Sequence, residues 1–110
     1  MRRIAAHRIY LLPQAEWRSA SVIGLNEAGE VVSMSPLTEE SAHIEWLSGE
    51  IIVSPFPLVR ESQEDFRAFL SRITKQAKAY ADSVPRRAYR ILSSSSEFSA
   101  YDCSGYRYIQ

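Results

Sequence analysis

Apolar and polar positions alternate at short range through the first half of the chain and then switch to a helical period. Arg3 to Leu12 (R-I-A-A-H-R-I-Y-L-L) mixes β-branched and aromatic residues, lacks a capping residue before it and ends at Pro13, so it reads as a strand. Its alternation is imperfect, which predicts apolar contact on both faces. Trp17 and Arg18 open a second run, Ser19 to Leu25. Asn26-Glu27-Ala28-Gly29 then supplies residues that tolerate positive φ, and Glu30 to Met34 returns as the partner strand. Ser35-Pro36 closes this hairpin, because proline cannot donate to a ladder. Leu37 to His43 is a polar connection. Ile44 to Leu47 and Glu50 to Val53 flank Ser48-Gly49, and the pattern predicts a second hairpin there, stopped by Pro55 and Pro57.

After Pro57 the period changes. Phe66, Phe69, Leu70, Ile73, Ala77, Tyr80, Ala81 and Val84 recur at the spacing of one helix face, with Arg67, Arg72, Lys75, Lys78 and Asp82 on the other. Ser62 with Asp65 three residues on resembles a capping box, Glu61 and Glu64 suit the positive end of a helix dipole, and Pro85 is a stop. The pattern predicts one long amphipathic helix over 62–84, about 30 Å in length. Arg87 to Leu92 reads as a strand, Ser93 to Ser96 with Glu97 as a loop, and Phe98, Tyr101, Tyr106, Tyr108 and Ile109 as closing aromatic strands around Gly105. The expected class is α+β, with a mostly antiparallel β-sheet or sandwich and one helix. A single domain spans 1–110, with β hairpins in 1–57, the helix in 62–84 and closing strands in 86–110.

Composition narrows the function classes. The chain has 110 residues, 45% of them hydrophobic and 11% aromatic, enough for one packed core. Thirteen basic residues balance thirteen acidic ones, so no net field draws nucleic acid or anionic lipid, and neither is expected as a partner. Neutrality leaves self-association open. A single cysteine, Cys103, excludes an intrachain disulfide and fits a reducing, cytoplasmic location. The run after Arg2-Arg3 is broken by His7 and Arg8 and does not read as a signal peptide, and no apolar stretch approaches the roughly 20 residues that span a bilayer.

Three segments together carry a resemblance: M-R-R-I-A-A-H-R-I-Y, then N-E-A-G-E-V-V-S-M-S-P-L, then W-L-S-G-E-I-I-V-S-P-F. In order and spacing they look like the N-terminal segment of amidohydrolase-superfamily enzymes of the cytosine deaminase and chlorohydrolase type. There, a strand, a hairpin and a "G.ivPGfvn.H.H" segment build the small composite β-domain that precedes the metal-binding barrel. This chain departs from that pattern where the metal would bind. Ser54-Pro55-Phe56-Pro57-Leu58-Val59-Arg60 stands in place of Pro-Gly-Phe and the His-x-His pair, so no metal, base or substrate residue of the family carries over. The resemblance implies a composite-domain-like protein without its barrel. In the family, strands returning after the barrel complete that domain, and Arg87 to Leu92 with Phe98 to Ile109 are placed to do so here.

The candidate chemistry is sparse. His7, His43 and Cys103 are the imidazole and thiol donors, none in a short ligand pair, so no metal or other cofactor is expected. Cys103 beside Asp102 lacks a local base and reads as a half-buried strand cysteine. Glu39, Glu40, Glu45 and Glu50 could supply a carboxylate pair but read first as solvent-facing positions. Arg86, Arg87, Arg90 and Arg107 among the C-terminal tyrosines could form a stacking platform, or cross-strand pairs. The expected function is a non-catalytic structural or interaction module, forming a homodimer or binding a protein partner such as a related amidohydrolase. Trp17, Trp46 and Phe56 are the expected interface residues, since large aromatics dominate buried contacts. The alternative is a small-ligand-binding protein or minimal enzyme with a pocket between helix and sheet.

Overall fold

The computed structural model describes the chain apart from residues 1, 37–43, 62–63, 82, 94–97, 104–106 and 109–110. Its centre is β1 (Arg2–Leu11), which pairs antiparallel with β2 (Glu16–Leu25), and β2 pairs antiparallel with β3 (Val31–Pro36). The other edge of β1 carries β4 (Ile44–Trp46) and β5 (Glu50–Ser54), both parallel to it. Helix α1 (Phe66–Ala77) follows. The chain then returns as β6 (Arg87–Ser93) beside β5, with β7 (Phe98–Asp102) and β8 (Arg107–Tyr108) added antiparallel. The result is α+β: among the described residues, one predominantly antiparallel, mixed sheet and one helix.

The first hairpin forms where turn chemistry places it. Gly29 takes φ 84, its N–H donates to the Asn26 carbonyl at 3.0 Å, and the Asn26 side chain accepts from the Glu30 N–H at 2.9 Å. The second predicted hairpin is not one. Ile44–Trp46 pairs with Arg3–Ala5 and Glu50–Val53 with Arg8–Leu11, all in one direction, so β4 and β5 are a single interrupted strand. From Trp46 to Glu50 is four residues, against three from Ala5 to Arg8, which makes Leu47–Gly49 a one-residue bulge. Glycine at positive φ serves turn and bulge alike, and here φ is 87. The neighbour decides: β1 offers a parallel edge on which the chain continues rather than reverses.

The sheet curls on itself. The Val31 N–H donates to the Arg86 carbonyl at 2.8 Å and Glu30 bridges to Arg87, so the start of β3 meets the start of β6 and closes a ring of β1, β2, β3, β6 and β5. Ile4, Ala6, Ile9, Leu11, Ile23, Leu25, Ile51, Val53 and Ala88 form one buried cluster with Val31 and Met34, drawn from every strand of the ring. The second cluster lies between the ring's outside and the helix, and unites Tyr10, Leu12, Ile52, Phe69, Ile73, Ala77, Tyr89 and Phe98. Ile4 and Ala6 join the first cluster from one alternation of β1, and Ile9 and Leu11 from the other. The switch falls at His7 and Arg8, both exposed. That is the physical content of the imperfect alternation: β1 feeds both cores.

The helix is shorter than its periodicity. It runs over Phe66–Ala77, about 18 Å. Asp65 is the N-cap, its carboxylate accepting the Ala68 N–H at 2.8 Å; Ser62, the expected cap, lies outside the described residues. Beyond Ala77 the backbone tightens into three-residue turns, with the Ala79 N–H on the Gln76 carbonyl and the Tyr80 N–H on the Ala77 carbonyl. Tyr80 still packs, 5.1 Å from Phe56, so the apolar repeat persists where the helix does not.

Arg72, expected on the solvated side, fastens the segment leading into the helix. Its guanidinium sits 5.5 Å from the Phe69 ring, pairs with Glu64 and Glu61 at 2.8 Å each, and donates to the Val59 carbonyl at 2.6 Å. The hydrogen bond from Arg72 holds the Glu64 carboxyl below the usual carboxylate range, and the bond from the Glu61 N–H adds to it. A carboxyl whose pKa is lowered on folding stabilises the fold above its unfolded pKa, and that contribution disappears as pH falls through the folded value. Arg72→Met is therefore expected to cost about 1–2 kcal/mol at neutral pH. Urea titrations at a series of pH values should show the difference from the parent shrinking below about pH 4; a pH-independent difference would assign the loss to packing and the Val59 hydrogen bond rather than to the ion pairs.

Candidate functional site

The expected interface residues separate in the structure. Phe56 is 5% exposed and lies in the core against Tyr80, so it presents no surface to a partner. Trp17 is half-buried, 4.8 Å from the Tyr10 ring, with the Arg8 guanidinium 4.0 Å from its centroid. Trp46 is 51% exposed at the end of the short strand β4. The ring of His7, itself exposed, stacks on it at 4.9 Å and 31°. The bulge after Trp46 and the change of alternation at His7 and Arg8 lie side by side, which is why polar and aromatic groups surface together there. Arg8 is held in turn by Glu50 at 3.1 Å.

The candidate chemical groups are engaged elsewhere. Cys103 is buried with the ring cluster; its N–H donates to the Ala88 carbonyl and its carbonyl accepts from Arg2. Glu45 pairs with Arg2 at 2.9 Å and Glu50 with Arg8, so each carboxylate faces a cation. Glu39, Glu40 and His43 lie outside the described residues. Among the described residues no three His, Cys, Asp or Glu side chains gather closely enough to hold a metal ion. Arg87 and Arg90 donate to the Ala28 and Ser48 carbonyls at 2.9 Å and Arg86 to that of Leu12 at 3.4 Å, so these arginines brace the backbone. Tyr89 is buried, Tyr101 and Tyr108 are paired across β7 and β8, and Tyr106 lies outside the described residues.

An open groove of about 390 Å³ runs along α1 against β1, with Tyr10, Arg67, Leu70, Thr74, Lys75 and Lys78 among its lining. The Thr74 hydroxyl donates to the Leu70 carbonyl at 2.6 Å and lies 2.8 Å from the Tyr10 hydroxyl. Since Thr74 has one proton to give, Tyr10 donates to Thr74, and this chain pins the helix to β1. Periodicity assigns these bases to a solvated face. The usable signal is that no acidic residue occurs from Phe66 to Ala81. No helix among the described residues is long and apolar enough to cross a membrane. Comparison with protein-family models, curated proteins and solved structures finds no match.

Proposed function

We propose that this chain is a non-catalytic interaction module that associates with a second copy of itself through the surface around Trp46 and His7. The carrying observation is the half-exposed Trp46, stacked on an exposed histidine beside a strand edge with no strand partner among the described residues. Tryptophan is the residue type most enriched where interfaces concentrate their energy. A net charge of zero adds no repulsion between copies. The engagement of Cys103, Glu45 and Glu50 in core packing and ion pairs supports the non-catalytic part of the reading. The relation to the amidohydrolase composite domain belongs to the same proposal. It is supported by the order strand, hairpin, strand and Pro55, with β6 pairing beside β5 after the helix.

Sedimentation velocity over a concentration series tests it. The parent chain is expected to pass from monomer to dimer below about 0.1 mM, and Trp46→Ala to weaken the dimer about 30-fold or more, the effect of losing an interface hot spot. A parent chain that stays monomeric throughout, or a dimer indifferent to Trp46→Ala, overturns the proposal.

A further inference from the structure

We propose that the groove along α1 docks an extended acidic peptide segment, at a site separate from Trp46. The chain is neutral, yet both of its lysines and Arg67 converge here. Elsewhere Arg2, Arg8, Arg18 and Arg72 each meet a carboxylate and Arg60, Arg86 and Arg90 donate to backbone carbonyls, whereas among the described residues no carboxylate lies within 4.0 Å of Arg67, Lys75 or Lys78. Among the described residues nothing therefore neutralises the field of this face, which suits it to an acidic partner.

The spacing fits a strand. Along the helix axis Leu70 lies about 4.5 Å and Lys75 about 12 Å from Arg67. Alternate residues of an extended peptide are about 6.7 Å apart on one side, so a sequence Glu-x-Leu-x-Glu sets an acid, an apolar group and an acid at about 0, 7 and 13 Å. These meet Arg67, Leu70 and the pair Lys75 and Lys78. An open trough would leave most of a small molecule in water, which favours a chain segment that extends past both ends. A single nucleic-acid strand would want exposed rings on which to stack, and the one ring in this lining, Tyr10, is 6% exposed.

The test is fluorescence anisotropy with a dye-labelled acetyl-Glu-Ser-Leu-Ser-Glu-Glu peptide, its glutamine counterpart, and an oligothymidylate of equal charge. Saturable binding of the acidic peptide is expected, with the glutamine peptide inert and affinity falling as salt shortens the screening length. Lys75→Glu with Lys78→Glu, and Arg67→Glu separately, should weaken binding about tenfold or more. All three positions are exposed, so an unchanged urea midpoint confirms that the variants fold. Absence of saturable binding, equal affinity in the variants, or tighter binding of oligothymidylate than of the peptide overturns the proposal. Trp46→Ala should leave peptide binding untouched, which separates this site from the self-association surface.

Discussion

Gly49→Ala is expected to lower the stability of the fold by about 4 kcal/mol, read as a fall in the urea midpoint at unchanged slope. Two costs add. Gly49 holds φ 87, a backbone conformation that costs an L-residue about 1–2 kcal/mol. A Cβ there would also stand 2.2 Å from the Ile91 carbonyl oxygen and 3.1 Å from Leu92 Cδ2. The Leu92 side chain can turn away, but the Ile91 carbonyl cannot, because β6 is paired to β5 on one edge and β7 on the other. Relief therefore requires the bulge itself to move. Arg90 holds it, donating to the Ser48 carbonyl at 2.9 Å and to the Ser48 hydroxyl at 2.6 Å. A cost near 1 kcal/mol would mean that the bulge slides freely and that the close approach to β6 is not required for the fold.

The same bulge shows where sequence reading stops. Residue by residue, Trp46-Leu47-Ser48-Gly49-Glu50 carries the chemistry of a tight turn, and nothing local distinguishes reversal from a kink in a strand that continues. The distinction lies in β1, some 40 residues earlier, whose open edge accepts β4 and β5 in parallel. The Asn26 to Gly29 turn was legible because all its determinants sit within the turn: the Asn26 side chain, the Gly29 backbone and the hydrogen bonds that join them. The helix was legible in position and not in length. Tyr80 obeys the helical repeat because it packs against Phe56, and that contact is met after the helix has ended.

Candidate sites divide along the same line. Aromatic character singled out Trp17, Trp46 and Phe56 alike, but exposure is a property of the assembled sheet. It buries Phe56 under the Tyr80 turn and leaves Trp46 at an edge. A pocket between helix and sheet was among the expectations, but its basic character went unread because periodicity measures which side of a helix is apolar, not whether the polar side has counter-charges within reach. Arg72 and Lys75 are both polar-face cations by sequence. One is consumed by Glu61 and Glu64, while the other faces the groove.

Phe69→Ala is expected to cost about 3–5 kcal/mol, the range for deleting a buried aromatic ring. Phe69 is 0% exposed, 5.0 Å from the Phe98 ring and 6.4 Å from that of Phe66, and it underlies the Arg72 guanidinium. Its removal opens a cavity at the point where α1, β7 and the segment before the helix meet. The consequence should be unequal across the molecule. The ring cluster is built from strand residues such as Ile9, Ile51 and Val53 and draws nothing from α1, so the strands keep their own core when the helix loosens. Hydrogen exchange resolved along the chain should therefore show protection falling first over residues 66–77, with β1 and β5 persisting, and binding of the acidic peptide should weaken with it. Ile51→Ala, which strikes the ring interior, is expected to lower protection everywhere at once. If Phe69→Ala also lowers protection uniformly, the two clusters unfold as a single cooperative unit, and the helix is as much a part of the ring's stability as the strands that close it.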